Sequence, residues 1–117
     1  VSRHDPDTGC TTVRYDHHEL HLPLSTLPPG TPTWIALRAT DVALARQPVA
    51  AITIQNQVPG RILNLRRIAD RIVAEVDIGV PILAEITVKS VHDLRLVEGD
   101  TVYCLFKARA WHYLGAA

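Results

Sequence analysis

The chain has 117 residues, room for one domain or two small halves sharing a core, and 47% of them are apolar, too many for disorder. Twelve basic residues cancel twelve acidic ones, and no long basic stripe marks a nucleic-acid binder. The longest apolar runs fall far short of a membrane span and no signal-peptide pattern is present, so a cytoplasmic location is expected.

Valine, isoleucine and leucine supply most of the apolar residues, with one Phe and no Met, which favours sheet over helix. Eight prolines and six glycines cut the chain into short pieces. Val1 stands first rather than Met, so a fragment of a longer protein is expected. Residues 11–15 and 18–24 read as a hairpin, with Asp16 and His17 in its turn. Leu27-Pro28-Pro29-Gly30 is a loop, because proline gives the ladder no donor and glycine permits positive φ. Strands are expected over 33–38 and 41–45, and a boundary near Gln47-Pro48.

Beyond that boundary, 51–56 and 60–68 read as two further strands. Ile72, Ala74, Val76 and Ile78 alternate along 71–78, and Ile82, Ala84 and Ile86 do the same along 81–87. The one helix is expected over about 88–95, capped by Ser90 with Asp93 in a capping box or by Thr87, with Val91 and Leu94 facing inward. Residues 97–100 form a turn, and strands over 101–109 and 110–114 close the sheet.

The two halves resemble each other. Leu27 to Gly30, Trp34 and Arg38-Ala39 align without gaps with Leu96 to Gly99, Tyr103 and Lys107-Ala108, a constant 69 positions on. The pattern predicts an all-β chain of two related OB-like modules with one short helix, over 1–48 and 49–117. The first module lacks its opening strand, expected at or before Val1.

Catalysis is not indicated. The chain has no phosphate-binding Gly-x-x-x-x-Gly-Lys-[Ser/Thr] loop, no Gly-x-Ser-x-Gly elbow and no Cys-x-x-Cys pair. His17, His18, Glu19 and His21 cluster, but no closed metal-ligand set is visible, and a solvated hairpin face is expected. Cys10 and Cys104 are expected to be reduced, with a disulfide between them left open.

The segment Gln55-Asn56-Gln57 interrupts an apolar stretch with three amides. Buried amides must find partners or cost about 1–3 kcal/mol each, so they are either turn formers or ligand donors.

Thr53-Ile54-Gln55-Asn56-Gln57 followed by Gly60-Arg61-Ile62 resembles the opening Ser-x-Arg-Asn-Gln-x-x-Gly-x-Val of the Mop (molybdate-binding protein) and TOBE (transport-associated OB) families. Ala84 to Thr87, Ser90, Leu94 to Leu96 and Glu98 to Asp100 are similar to their Ile-Thr-x-x-Ser-x-x-x-Leu-Gly-Leu-x-x-Gly block, and Phe106-Lys107-Ala108 to their closing Ile-Lys-[Ala/Ser]. Leu37 to Ala45 looks like the segment that follows the ATPase domain of molybdate importers.

The resemblance implies an OB-like fold, a homodimer, and an attached ATPase domain coupled to a membrane permease at the inner face of the cell membrane, with no direct membrane contact and no nucleic acid. It implies molybdate or tungstate as ligand, held by Thr53, Gln55 and Asn56 on one side, Thr87 and Ser90 at the helix start, and Lys107 with Ala108. Arg38 and Ala39 would furnish a second site. In such importers a bound oxyanion holds the transporter inactive, so the expected function is regulatory. The alternative is a purely structural, dimerising tail. Its support is Gln55, which stands where the families have arginine and loses both charge and fork.

Overall fold

A computed structural model describes residues 2–7, 10–15 and 18–116. The chain order is β1 (Arg3–Asp5), β2 (Cys10–Tyr15), β3 (His18–Pro23), β4 (Thr33–Leu37), a 3-10 turn (Ala39–Asp41) and β5 (Ala43–Ala45). Then come β6 (Asn56–Ile68), β7 (Arg71–Asp77), β8 (Pro81–Thr87), α1 (Val88–Leu94), β9 (Thr101–Phe106), a second 3-10 turn (Ala108–Ala110) and β10 (Trp111–Ala116). The fold is mostly β with one helix, as expected. The hairpin of β2 and β3 pairs Tyr15 with His18, while its turn residues Asp16 and His17 lie outside the described residues.

Several boundaries differ from the sequence reading; the strand expected over 41–45 shortens to Ala43–Ala45, with Asp41 ending the first 3-10 turn. Residues 51–55 are irregular, and a single long strand, β6, starts at Asn56 and runs through Gln57, Val58 and Pro59, the gap between the strands expected over 51–56 and 60–68. Pro59 falls where β6 has β9 on one side only, since pairing with β7 begins at Arg61, so its missing N–H disturbs little. Gly60 is a packing requirement: a Cβ there would lie 2.7 Å from Val76 Cγ1 and 2.8 Å from Ile78 Cγ2. At the other end β9 stops at Phe106, and Lys107 and Ala108 turn out of the strand into the second 3-10 turn.

The likeness between the halves extends to their hydrogen bonds. The Thr31 N–H donates to the Pro28 carbonyl at 3.1 Å, and 69 positions on the Asp100 N–H donates to Val97 at 3.2 Å. Asp41 N–H donates to Arg38 at 3.0 Å as Ala110 N–H does to Lys107 at 2.9 Å. Gly30 and Gly99 both adopt left-handed backbone, φ 87° and 91°, which a side chain would resist.

The strand that follows each 3-10 turn leaves its own half. β5 pairs antiparallel with β9, and β10 pairs antiparallel with β4. The registers are equivalent too, Ala43 opposite Leu105 and His112 opposite Ala36. Each half therefore supplies the last strand of the other.

This exchange merges the cores. Leu20 and Leu22 of β3 belong to one apolar cluster with Val58, Ile62, Val76, Val102, Phe106 and Trp111. Phe106 meets Trp111 edge-on, ring centroids 5.1 Å apart. The halves still differ at one edge. β9 lies between β5 and β6, whereas among the described residues β4 has β10 alone. Accordingly Phe106 and Cys104 are fully covered, while their equivalents Leu37 and Ile35 are half-buried.

Candidate oxyanion site

The three consecutive amides have separate uses. Asn56, 2% exposed, takes both backbone groups of His21, accepting from its N–H at 2.7 Å and donating to its carbonyl at 2.8 Å. It thereby acts as one rung of a ladder between β3 and the start of β6. Gln57 folds the preceding loop: its Oε1 accepts from Val49 N–H at 2.8 Å, and its Nε2 donates to the carbonyls of Val49 at 2.8 Å and Ile54 at 3.2 Å. Thr53 and Gln55 are exposed. A long contact of 3.9 Å from the Cys10 thiol reaches Gln55 Oε1.

Thr87 is the residue that caps α1. Its Oγ1 accepts from the Ser90 N–H at 3.0 Å, and the two hydroxyl oxygens lie 2.8 Å apart. The alternative cap, Ser90 with Asp93, is not used, because Asp93 turns outward to pair with Lys89. Val91 and Leu94 pack against the core as expected.

Thr87 and Ser90 line a groove of about 390 Å³ whose other wall is Thr40 to Leu44, contributed by the first half. Glu85 also lines it, 3.7 Å from Arg71. No cation lines this groove among the described residues.

The positive charge lies next door. Lys107 and Arg109 line a second groove of about 350 Å³ with Asp41, Ala43 and Ile54. Asp41 and Ala43 belong to both grooves, so the hydroxyl pair and the two cations flank opposite sides of one turn. Gln55 lines a third groove of about 440 Å³, with Arg3, Cys10 and His21. Of the residues singled out in the sequence, Thr87 and Ser90, Lys107, and Gln55 thus line three different grooves, and Thr53, Asn56, Ala108, Arg38 and Ala39 line none of the three.

Arg38, exposed, precedes the first 3-10 turn as Lys107 precedes the second; Ala39 and Ala108 open the two turns. Thr40 and Arg109 were not singled out in the sequence. The repeat held the clue, since both follow the matched Arg38-Ala39 and Lys107-Ala108 pairs.

Cys10 and Cys104 are free thiols, which settles the disulfide left open by the sequence. Burial pushes the Cys104 thiol up to about 12, far from any groove chemistry. Among the described residues no group of three His, Cys, Asp or Glu side chains is placed to hold a metal ion, and no helix is long and apolar enough to cross a membrane.

Two interlocked halves with a capped helix before the last pair of strands make a β domain, and comparison with known families gives its membership. Residues 52–113 match the TOBE domain, and the chain belongs to that family. It is 36% identical over 113 residues to molybdenum import ATP-binding protein ModC 2 of Azotobacter vinelandii, covering 94% of this chain and 32% of that protein. It is 30% identical over 111 residues to molybdenum import ATP-binding protein ModC of Paramagnetospirillum magneticum, covering 92% of this chain and 30% of that one. The chain therefore spans about a third of the length of these relatives. Among solved structures it resembles ModG, a cytoplasmic molybdate-binding protein crystallised with molybdate bound. The TM-score is 0.75 at 16% identity, over 81% of this chain and 74% of that one. At that identity the likeness speaks for the fold.

Proposed function

We propose that this chain is the oxyanion-binding, regulatory accessory domain of an ABC transporter ATPase, with molybdate or tungstate as ligand. The observation that carries the reading is the similarity, over nearly the whole chain, to ATP-binding subunits of molybdenum import. The fold shared with a molybdate-binding protein supports it.

The groove chemistry is compatible. A tetrahedral dianion needs several O–H and N–H donors together with positive charge. Thr40, Thr87 and Ser90 offer hydroxyls on one side of the Asp41–Ala43 turn, and Lys107 and Arg109 offer charge on the other. Asp41 and Glu85 oppose an anion, so the two cations must outweigh them. An anion that drew on both sets would bridge segments of both halves and stabilise one arrangement of them, which is how a small ligand biases a larger assembly. In this reading the domain pairs as a homodimer, stays in the cytoplasm and acts on a membrane permease through its ATPase.

The second reading, a structural tail that binds nothing, has its own observations. Asn56 and Gln57 spend their amides on the backbone, and Gln55 brings no charge. Titration of the chain and of Thr87→Ala and Lys107→Ala variants separates the two. Sensing requires molybdate affinity that both substitutions lower; a structural tail shows no heat with any of the three proteins.

A further inference from the structure

Arg46 belongs to none of the family-like motifs, yet it reaches from the end of β5 in the first half to the end of α1 in the second. Its Nε and Nη2 donate to the Leu94 carbonyl at 3.0 and 2.9 Å, and Nη2 donates to the Arg95 carbonyl at 2.6 Å. The same Nη2 lies 3.0 Å from Asp100 Oδ2, an oxygen that also accepts from the Val97 N–H at 3.0 Å.

The carbonyls at a helix end have no donors within the helix and carry partial negative charge, so a planar guanidinium is their natural partner. The ion pair with Asp100 contributes little by itself, since the two side chains are 39% and 24% exposed. The fork onto two carbonyls is what fixes position. It holds a turn that needs holding, because Arg95 sits at φ 54° without being glycine.

What this fixes is the groove. Leu44, two residues before Arg46, lies in one wall, and Leu94, whose carbonyl Arg46 grips, lies in the other. We propose that Arg46 is the positioning residue of this groove. By clamping the last turn of α1 to β5 it sets the distance at which Thr87 and Ser90 face Thr40, and with it the size of tetrahedral oxyanion accepted. The assignment of an oxyanion rests on the proposed function above. Arg46 itself touches no ligand.

The test compares the full chain with R46A, R46K and, as a control, K89A, which removes a cation from the exposed face of α1. Each protein is titrated with molybdate and with sulfate. Hydrogen exchange is followed at Arg95 and Leu96, whose N–H groups donate to His92 and Val91 at 3.2 and 3.0 Å. In R46A, molybdate affinity falls by about tenfold or more, the preference for molybdate over sulfate shrinks, and exchange at both amides rises about tenfold. R46K falls between, since an ammonium keeps the charge but not the fork. K89A matches the parent.

Equal loss for both anions, unchanged affinity, or unchanged exchange in R46A would overturn the assignment. Should the parent bind neither anion, the oxyanion reading fails. The clamp is then judged on exchange alone: acceleration in R46A upholds it as the residue that sets the groove walls, and its absence removes it.

Discussion

The side-chain amide of Asn56 forms a closed pair of hydrogen bonds with the backbone of His21, one accepted at 2.7 Å and one donated at 2.8 Å. A side chain here does the work of a β-ladder, joining the first half to the second at a point where, among the described residues, β3 has no strand on that side.

Replacing Asn56 by Ala strands the His21 N–H and carbonyl together, at a cost of about 2–4 kcal/mol. Asn56→Asp keeps the acceptor, loses the donor and sets a carboxylate against the His21 carbonyl, so it does no better. Urea unfolding followed by tryptophan fluorescence checks both, with midpoints well below that of the parent chain.

Gly60 sits where β6 passes closest to the end of β7. A Cβ would meet Val76 Cγ1 at 2.7 Å, Ile78 Cγ2 at 2.8 Å and the Asp77 carbonyl at 3.1 Å. Val76 and Ile78 are buried and cannot step aside freely. Gly60→Ala therefore costs about 1–3 kcal/mol through overpacking, read as a lowered thermal midpoint.

These two positions show what the sequence made legible and what it hid. Period-two runs such as Ile72-Ala74-Val76-Ile78 announced β7 and β8, and the matched glycines Gly30 and Gly99 announced the duplicated turn. The gap left at 57–59 misled, because local breaker rules for Pro59 say nothing of which strand edge is free. The exchange of β5 and β10 between halves was invisible for a related reason. Three-residue β5 carries no pattern that names its partner, and only the three-dimensional register supplies it.

The candidate site residues Thr87, Ser90 and Lys107 came from the family resemblance, while their spacing before the helix spoke only for a cap; that the hydroxyl pair and the lysine line different grooves was not legible. Asn56 looked the same whether turned to ligand or to backbone, and only its burial against β3 shows the use it is put to here. Arg46 had no motif at all, since its partners are main-chain carbonyls that any residue provides.

The two thiols should behave oppositely. Cys104 is fully covered and its thiol is held protonated up to about 12, from an ordinary value of 9.0, while Cys10 is half-buried at the edge of a groove. A soluble disulfide reagent at neutral pH should label Cys10 and leave Cys104 untouched until the chain unfolds.

The same burial gives a pH dependence. Below pH 9.0 the thiol is protonated in both folded and unfolded chains and stability does not respond to it. Between 9.0 and about 12 only the unfolded chain loses the proton, so stability falls as pH rises, by up to about 1.4 kcal/mol per unit. Cys104→Ala should flatten that part of a stability profile measured by denaturant unfolding from pH 8 to 11, by about the same slope.

Calorimetric titration of the purified chain with molybdate, tungstate and sulfate asks whether it binds a tetrahedral oxyanion at all. Saturable binding of the first two is expected, with at most weak binding of sulfate, and affinity about tenfold or more lower in Lys107→Ala, the loss expected from one charged hydrogen bond. No heat and no thermal stabilisation by any of the three anions would contradict this expectation, leaving a domain whose two interlocked halves serve assembly alone.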